Sequence, residues 1–559
     1  MELVAFPSVL SPTLLIISVF VLVRHVLYPA FFSPLAKIPN AHPLAAFTSA
    51  WITWIRFRNI ENSTVHEAHK RYGSVVRLGP SELSVNCVDD GIKTIYGKGF
   101  EKTPFYSVFV NYGILNMFST LQSHPHAIKK KRIANIYAKS HLLSSPDIRA
   151  ISTHITHKRI LPLIANRAAT DTPIDVFNLY RAAAVDMTTA YFFGLPVGTN
   201  HLENEDKRQH WQEQYLGSSP PDYMFFLHHL PQLTSWLAKF GIHVVPKDRF
   251  FFKDEFDAWC LNMCSGAEDL LSAVASGAEK RPGYFPVVYE QLKRITRKEN
   301  MSEDPSIRLD DSATRQKGRE AGDILDVPRS RQQLEIASEL MDQLIATHET
   351  MGISLLYVSW ELSRNPKIQD RLRAELKSLP TPVIYGSADE EVPDARSLDD
   401  LPLLHAIVME TLRLHPAVAG GQPRVTPPNA STKLGDYANI PPNTRVSSYA
   451  WSLHRNPEVF PDPDGWHPER WLESEPSSAA YQGSDKKERW FWAFSSGGRM
   501  CIGSNYAMLM MKYILAALHT NFVSTIVDDE GIEQTDGFMA GPKGDKLILA
   551  FQHAPSEVS

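Results

Sequence analysis

The sequence is poor in cysteine and glycine and has no excess of positive charge. Four cysteines among 559 residues are too few for the disulfide framework of a secreted scaffold, so we expect the bulk of the chain to face a reducing compartment. Lysine and arginine number 57 against 62 aspartate and glutamate, a net charge of −5. Without a basic excess, the composition predicts no binding to nucleic acid. A glycine-rich phosphate loop is also missing.

The composition that remains is that of a globular protein. Hydrophobic residues make up 43% of the chain and charged residues 21%, which excludes a disordered, collagen-like or coiled-coil chain. The length exceeds the size at which one hydrophobic core keeps growing, so it is compatible with one large layered domain or with several smaller ones. Proline outnumbers glycine, 39 to 29, and this predicts many turns and many helices that begin at proline.

An uncharged apolar run occupies residues 3–23 near the N-terminus. As a helix, these 21 residues would be about 31 Å long, close to the hydrocarbon thickness of a bilayer. Positive residues follow the run rather than precede it, and no small-residue cleavage site comes after it. We therefore predict an uncleaved membrane anchor over 1–28, with the rest of the chain in the cytoplasm, and a stiff proline-rich connector over 29–45. The alternative is a cleaved or buried apolar segment.

Residues 46–559 are expected to form one large helix-rich domain with small β-sheets, because neither a linker nor an internal repeat divides them. Alternating residues at 74–85 predict a β-hairpin. A long apolar periodicity predicts a helix over 332–364, and a second helix is expected at 399–415. The stretch 297–331 is charged throughout and predicts a solvated loop that is partly disordered.

The most specific motif is a loop near the C-terminus that reads F-S-S-G-G-R-M-C-I-G. Its glycines permit a close approach to a flat ligand, and Cys501 stands just before a predicted helix, whose N-terminus favours a thiolate. A thiolate is a strong donor to iron, and Arg499 adds a positive charge suited to a carboxylate. A lone cysteine is more often a buried small hydrophobe, but five fixed positions coincide here, a chance of roughly 10⁻⁷ per start site. Those positions are Phe494, Gly497, Arg499, Cys501 and Gly503.

This loop resembles the haem-ligand loop of the cytochrome P450 family, and further landmarks of that family occur in order over residues 35–555. The resemblance implies the family's α+β fold, mainly α with small β-sheets, and haem b as the cofactor. It also implies that Cys501 is the axial ligand of the haem iron. The string W-H-P-E-R-W at 466–471 is similar to fungal microsomal members in particular.

A second landmark, E-T-L-R, lies on the helix expected at 399–415. Glu410 and Arg413 are three residues apart and share a helix face; alone, they would more often be a surface pair of small energetic value. The resemblance implies instead a structural network of Glu410, Arg413 and Arg470 that holds the cysteine loop in place.

The long helix contains A-T-H-E-T at 346–350, which resembles the family's oxygen-activation signature. Glu349 and Thr350 match the acid and the alcohol, so the resemblance implies that they handle protons. Thr347 stands where the family usually has glycine; its hydroxyl can open the helix partly by bonding the carbonyl four residues back. The alternative is a core helix with a buried polar patch. We interpret His348 as a packed or solvent-side residue rather than a ligand.

Haem carries two carboxylates, which call for cations. The resemblance maps His126 and Lys130 in the basic stretch 124–132, Arg424 after a turn, and Arg499 to haem binding. The basic stretch is also compatible with a solvated face or with a docking patch for an acidic partner.

The predicted substrate pocket combines residues around 105–118, the turn after the 399–415 helix and a segment near the C-terminus. Its candidate residues are Phe105, Phe109, Met117, Ala346, Val418, Ala419 and Phe538. Their apolar and aromatic character predicts a lipophilic substrate such as a terpenoid or a polyketide-like metabolite, and the apolar stretch 225–252 is expected to dip into the bilayer.

The resemblance as a whole implies a monooxygenase of fungal secondary metabolism that inserts one oxygen atom from O₂ into this substrate. Electrons would come from NADPH through a membrane-bound cytochrome P450 reductase, with cytochrome b5 as an optional second donor. The expected location is the endoplasmic reticulum membrane, with a single span and a cytoplasmic catalytic domain. Two alternatives remain open: a haem-thiolate isomerase or dehydratase without a redox partner, and a non-catalytic haem-binding protein.

Overall fold

Helices dominate the protein. The structure, a computed structural model, describes residues 7–218, 221–275, 282–301, 330–472 and 486–555. The α-helices include α1 Pro7–Leu22, α2 Ala50–Phe57, α3 Glu61–Tyr72, α4 Ser123–Ile133, α5 Lys139–Ser144, α6 Pro146–His154, α7 Leu161–Ala169, α8 Val176–Phe193, α9 Glu205–Ser218, α10 Pro221–His229, α11 Pro231–Lys239, α12 Arg249–Ala275, α13 Val287–Met301, α14 Arg331–Arg364, α15 Pro366–Lys377, α16 Ala395–Asp399, α17 Pro402–Leu414, α18 Ala450–Leu453 and α19 Ser504–Asn521.

Within the described residues, ten short strands form three small sheets. The strands are β1 Val75–Gly79, β2 Glu82–Val85, β3 Glu101–Lys102, β4 Ile174–Asp175, β5 Arg424–Val425, β6 Thr432–Leu434, β7 Tyr437–Ile440, β8 Arg445–Ser447, β9 Phe522–Asp528 and β10 Ile548–His553. The largest sheet has the order β1-β2-β8-β5-β3, and the others are β4-β10-β9 and β6-β7. The antiparallel pair β1 and β2 confirms the hairpin predicted at 74–85. The predicted fold class, mainly α with small β-sheets, is likewise confirmed.

The long helix α14 runs through the middle of the core. Its start is fixed by a capping box, in which the Ser330 side chain accepts from the Gln333 N–H and Gln333 reaches back to the Ser330 N–H. It ends at Asn365 because Pro366 follows, as the sequence predicts. Helices α8, α12, α13, α15, α17 and α19 all pack against it. Side chains carried by α14 are therefore held rigidly inside the protein.

The apolar N-terminal segment protrudes from the body. One span, residues 14–32, has a mean hydropathy of 2.1 and is long enough to cross a membrane, and little of it is buried. A π-helix, Val23–Phe32, continues α1 through Pro29. The first residues that we assigned to the connector are therefore helical. The wider winding accommodates a proline that lacks an N–H.

The rest of the connector packs onto the body rather than bridging to it freely. Leu35 and Ile38 are buried in a hydrophobic cluster that includes β1, β2 and β8. The predicted charged loop, 297–331, falls mainly outside the described residues. Residues 297–301 end α13, so the first residues of the predicted loop are helical.

Candidate active site

The cysteine loop is a tight turn between two backbone hydrogen bonds. Cys501 N–H donates to the Phe494 carbonyl at 3.0 Å and Met500 N–H to the Gly497 carbonyl at 3.1 Å. Gly497 has φ +71°, and a Cβ built there would lie 2.1 Å from the Tyr96 carbonyl oxygen. Only glycine fits such a position. The glycine of the motif therefore sets the shape of the loop.

Cys501 borders an enclosed space. The residue is exposed, yet desolvation is the largest influence on its thiol and raises the pKa above the usual range. The N–H groups of Gly503 and Ser504, at the start of α19, and the charge of Lys130 oppose that rise. The Cys501 side chain therefore has accessible surface although protein atoms surround it on most sides, which places it on the wall of a cavity.

Lys130 turns toward the cysteine loop. Its ammonium group donates to the carbonyls of Gly498 at 3.0 Å and Met500 at 2.9 Å. The sequence maps this lysine to a haem carboxylate. The structure shows it bound to the backbone on either side of Arg499.

Beside the loop lies a cluster of buried cations. Arg499 donates to the Thr120 carbonyl at 2.8 Å and to Glu101 at 2.9 Å. Desolvation and the nearby Arg424 lower the pKa of Arg499 to about 10. Desolvation, together with these arginines and two lysines, lowers the pKa of His126 to about 2, so its imidazole is neutral.

One member of this cluster, Lys102, is missing from the sequence-based site. Lys102 is 6% exposed, and it pairs across the sheet with Arg424, which is 2% exposed. No motif surrounds Lys102, and its neighbour in space is 322 positions away along the chain. Only the pairing of β3 with β5 brings the two together.

These residues fit haem. Within the described ranges no group of three or more histidine, cysteine, aspartate or glutamate side chains is placed to hold a metal ion, so an ion at Cys501 must bring its other ligands with it. The buried cations suit a ligand with two carboxylates, since buried like charges are costly without counter-charge. A Cβ built at Gly498 would meet no atom within 4 Å, which leaves that side of the loop open to a flat ring.

Helix α14 presents a short accessible face in the middle of the core. Ala346 is exposed, and Thr350 is half-buried one turn later. The Thr350 hydroxyl donates to the Ala346 carbonyl at 2.7 Å, and the Thr347 hydroxyl to the Gln343 carbonyl at 2.8 Å. Thr347 and Thr350 therefore both bond the carbonyl four residues back, as the sequence predicts for Thr347. Their oxygen lone pairs remain available to accept a hydrogen bond.

Glu349 is held by ion pairs. The Arg181 guanidinium of α8 lies 3.2 Å from its carboxylate, and Arg181 also pairs with Asp545 at 3.1 Å. Desolvation favours the neutral acid, but His348 and Arg181 outweigh it and lower the pKa of Glu349 to about 2. His348 is buried rather than on the solvent side, and its ring centroid lies 4.9 Å from that of Trp211. The pairing of Arg181 with Glu349 could not be predicted from the sequence, because the two residues are 168 positions apart.

Aromatic rings gather where the substrate pocket is predicted. Phe105 contacts Phe538 edge-to-face, with ring centroids 5.1 Å apart, and Phe109 contacts Phe118 at 5.0 Å. The His228 ring of α10 stacks on Phe105 at 4.4 Å. The structure therefore brings three of the predicted pocket residues, Phe105, Phe109 and Phe538, into one cluster, to which it adds Tyr106, Phe118 and His228.

The other pocket candidates differ in exposure. Ala346 is exposed and Val418 half-buried, whereas Ala419 is fully buried and presents no surface to a cavity. The next residue, Gly420, donates to the Phe538 carbonyl at 3.2 Å, so this turn backs the aromatic cluster. Met117 is nearly buried, and its N–H donates to Glu339 of α14 at 2.9 Å.

Glu410 and Arg413 form a buried pair at the centre of a polar network. Both side chains have no exposed surface, and Arg413 makes a two-pronged contact with Glu410 at 2.8 and 2.9 Å. Arg470 joins Glu410 at 3.0 Å. Trp471 also donates to the same carboxylate. The three residues predicted from the sequence thus lie together.

His454 connects this network to the cysteine loop. Arg413 donates to the His454 carbonyl at 3.0 Å, and the Nδ1 of His454 lies 2.9 Å from the Arg413 carbonyl oxygen. Its Nε2 accepts the N–H of Trp492 at 2.7 Å, two residues before Phe494. Desolvation and Arg413 lower the pKa of His454 to about 3, so the ring is neutral. A neutral ring can donate from one nitrogen and accept at the other.

Comparison with known proteins gives one consistent family. A model of the family described as Cytochrome P450 matches residues 295–549. Cytochrome P450 monooxygenase aflV of Aspergillus parasiticus is 26% identical, over 94% of this chain and 92% of the relative. Cytochrome P450 monooxygenase stcB of Emericella nidulans is 25% identical over 92% and 88%, and benzoate 4-monooxygenase bphA of Aspergillus niger 27% over 91% and 92%. Monooxygenases thus align along nearly the whole of both chains, and the family model covers the C-terminal part of this chain, so the chain is similar to cytochrome P450 monooxygenases over most of its length.

Proposed function

We propose that this enzyme inserts one oxygen atom from O₂ into a lipophilic small molecule of fungal secondary metabolism, with electrons from NADPH through a membrane-bound reductase. The observation that carries the proposal is the thiol of Cys501 on the wall of an enclosed space, next to a cluster of buried cations. The test is conversion of candidate metabolites by the full chain in a host that expresses the reductase. Product that forms without NADPH would instead support an isomerase or dehydratase.

The chain's own residues would hold the haem from two sides. Cys501 Sγ would bind the iron, and Gly497, Gly503 and Phe494 shape the loop that carries it. Arg424, Arg499, His126 and Lys130 are the residues that the sequence assigns to the haem carboxylates. When bound, haem supplies the electron-transfer and oxygen chemistry of this family. The protein contributes placement of the substrate and control of water and protons.

The accessible face of α14 is where protons would be delivered. The Thr350 hydroxyl donates its hydrogen to the Ala346 carbonyl, which leaves its oxygen available as an acceptor for a water molecule. Glu349 is ionised and anchored by Arg181, and a fixed carboxylate orients water without itself moving. We propose that Thr350 positions the last water of a proton path and that Glu349 orders the waters behind it.

Thr350→Ala is expected to uncouple NADPH use from product formation. Haem and substrate binding should be unchanged, because the hydroxyl bonds only the backbone of its own helix. A positioned proton-transfer group contributes about 10²- to 10⁴-fold to a rate, so reduced oxygen should leave as hydrogen peroxide. The measurement is the ratio of product to NADPH consumed, together with the peroxide released.

Two further variants serve as controls for Thr350→Ala. Thr350→Ser keeps the hydroxyl and should keep most of the coupling. Thr347→Ala tests the neighbouring hydroxyl, which we expect to rescue part of the loss, so the double variant should couple worse than Thr350→Ala alone. Equal coupling in wild type, single and double variants would contradict a proton-delivery role for both residues.

The aromatic cluster supports the proposal of a lipophilic substrate. Edge-to-face contacts join Phe105 to Phe538 and Phe109 to Phe118, so a substrate bound beside this cluster would meet ring faces and edges. Such walls bind apolar and unsaturated molecules and offer few hydrogen bonds, which is compatible with terpenoid and polyketide-like compounds. The relatives include an enzyme named for benzoate, so aromatic substrates belong among the candidates.

We also propose that the chain is anchored in the endoplasmic reticulum membrane and rests on it. Exposed apolar side chains extend from the end of the N-terminal segment across the body. Phe31 contacts Phe47 at 5.8 Å, and Phe57 of α2 contacts Phe225 of α10 at 5.3 Å. The series includes Phe31, Phe47, Trp54, Phe57, Trp236, Phe240, Ile242, Phe250 and Phe251, each more than a third exposed. A surface of this kind marks an interaction with a membrane or a partner.

Removing residues 1–28 is expected to release much of the protein from membranes while haem binding is retained. The cut leaves Pro29, whose carbonyl accepts from the buried Arg77 at 2.9 Å, and it removes no residue of the candidate site. The measurements are the membrane-bound fraction after sedimentation and the haem content. If the truncated chain binds membranes as tightly as the full chain, the exposed aromatic surface is the anchor instead, and Trp236→Ser with Phe240→Ser should release it.

A further inference from the structure

The accessible face of α14 carries an acid that the proposed proton path does not use. Asp342 stands four residues before Ala346 and eight before Thr350, so the three side chains share one face of the helix. Asp342 and Thr350 are half-buried and Ala346 is exposed, whereas Met341 and Gln343 on either side of the acid are buried. Along the helix, Asp342 lies about 12 Å from Thr350.

Asp342 borders an enclosed space. Its side chain has accessible surface, yet desolvation is the largest influence on its carboxyl, as it is on the thiol of Cys501. Protein atoms therefore surround Asp342 on most sides while part of its surface stays open. This combination places the carboxyl on the wall of a cavity.

The aromatic cluster adjoins this acid. The backbone N–H of Phe118 bonds the Asp342 carboxyl. The Phe118 ring contacts Tyr106 and Phe109, with centroids 5.2 and 5.0 Å away, and Phe109 is one of the pocket residues that the sequence predicts. Asp342 therefore joins the aromatic wall of the predicted pocket to the face of α14 that carries Thr350.

The surroundings of Asp342 favour its neutral form. Burial raises the pKa of its carboxyl well above the usual range, and the charge of Glu339, three residues earlier on α14, acts in the same direction. Lys102 and the Phe118 N–H oppose this rise without cancelling it. In the part of the chain that the structure describes, Lys102 forms no ion pair with Asp342, and its ammonium group donates to the Phe118 carbonyl at 2.5 Å.

Glu339 and Asp342 have different roles. Glu339 is fixed as an acceptor, because the Met117 N–H donates to it at 2.9 Å and the Gln343 amide at 3.1 Å. Two neighbouring acids in a desolvated site do not both ionise readily, and Asp342 is the one that keeps its proton. A neutral carboxyl accepts at one oxygen and donates from the other. With the Phe118 N–H at the acceptor, the O–H is left to serve a ligand.

The charges on either side of Asp342 select a neutral ligand. The ammonium group of Lys102 opposes a second cation, and the carboxylate of Glu339 opposes an anion. In an apolar cavity, the neutral group that accepts a hydrogen bond without donating one is a carbonyl or an ether oxygen, and the carbonyl is the stronger acceptor.

We propose that Asp342 is a specificity-determining residue, whose carboxyl donates a hydrogen bond to a carbonyl oxygen of the substrate. The inference rests on the proposed function and narrows its substrate class to lipophilic carbonyl compounds. Because about 12 Å of helix separates Asp342 from Thr350, the carbon that is oxidised should lie far from that carbonyl in the substrate.

The first test reads the protonation of Asp342 without any ligand. At neutral pH, the infrared difference spectrum between wild type and Asp342→Asn should contain the carbonyl stretch of a protonated carboxyl. Asp389→Asn is the matched control: Asp389 is exposed, and its difference spectrum should show a carboxylate instead. A carboxylate signal from Asp342 would overturn the proposal.

The second test titrates the haem-containing full chain with cyclododecanone, cyclododecane and cyclododecylamine, and follows binding by the change in haem absorption. The affinity for the ketone relative to the alkane should be about 3- to 10-fold higher in wild type than in Asp342→Leu, since one hydrogen bond is lost. Asp342→Asn, whose amide still donates, should keep most of the preference, and its similar shape guards against a failure of Asp342→Leu to fold. Asp389→Leu should behave as wild type.

The amine and the alkane decide what the acid recognises. A wild type that prefers cyclododecylamine, with this preference lost in Asp342→Asn, would show that Asp342 binds a cation and would overturn the proposal. An equal ratio of ketone to alkane affinity in wild type and Asp342→Leu, or no binding of either compound, would overturn it as well. If the ketone preference is present but NADPH and the reductase oxidise no bound compound, the proposed function fails while the role of Asp342 stands.

Discussion

Replacing Cys501 by histidine is expected to abolish the red-shifted carbon monoxide band that marks a thiolate-ligated haem. Imidazole is a neutral ligand, whereas the thiolate donates charge to the iron. The loop geometry should survive, because it depends on the backbone bonds of Cys501 to Phe494 and of Met500 to Gly497. The measurements are the reduced carbon monoxide spectrum, the haem content and turnover with the reductase, and we expect turnover to be lost altogether.

The matched control for this substitution is Cys87→Ala. Cys87 is half-buried and unpaired with another cysteine, and it lies outside the cysteine loop, so its loss should leave the band unchanged. A Cys501→His variant that keeps the red-shifted band and full turnover would show that the haem ligand lies elsewhere in the chain.

Glu410→Gln is expected to prevent accumulation of folded, haem-containing protein. The substitution leaves the buried charge of Arg413 without its partner, and breaking a buried ion pair from one side costs about 3–5 kcal/mol. The loss reaches further than the pair, because Arg470 and Trp471 also bind this carboxylate and Arg413 binds the carbonyl of His454. The measurements are the yield of haem-containing protein, and the thermal midpoint of whatever protein folds.

Glu67→Gln provides a control with the same chemical change. Glu67 pairs with Lys70 three residues later, as Glu410 pairs with Arg413, but both members are more than half exposed. Exposed pairs contribute about 0–1 kcal/mol, so yield and midpoint should remain near wild type. If Glu410→Gln folds and binds haem as well as Glu67→Gln, the buried network is not what holds the cysteine loop.

The sequence could predict the features that depend on residues lying close together in the chain. The cysteine loop occupies ten consecutive residues, and the reason for its glycine at 497 is a contact that any side chain would block. The long helix α14 was predictable because its apolar residues repeat with the helix period and a proline follows its last residue. Glu410 and Arg413 share one helical turn, so their pairing needs no knowledge of the rest of the fold.

The features that sequence reasoning missed depend on residues that are distant in the chain. Lys102 meets Arg424 only because β3 pairs with β5. The ion pair of Arg181 with Glu349 likewise requires α8 to pack on α14. Lys130 has the spacing of a haem-binding base, but spacing along a helix does not fix which neighbour its long side chain reaches.

The sequence by itself therefore determined the resemblance to the cytochrome P450 family, the cysteine loop and the helix that carries Glu349 and Thr350, because each is encoded by neighbours within a loop or a few helical turns. The tertiary structure decided which charges face one another: Lys102 opposite Arg424, Lys130 on the cysteine loop and Glu349 on Arg181. The physical reason is that a buried charge is stabilised by whatever the fold brings within a few ångströms, and those partners lie between 168 and 370 positions apart in the chain.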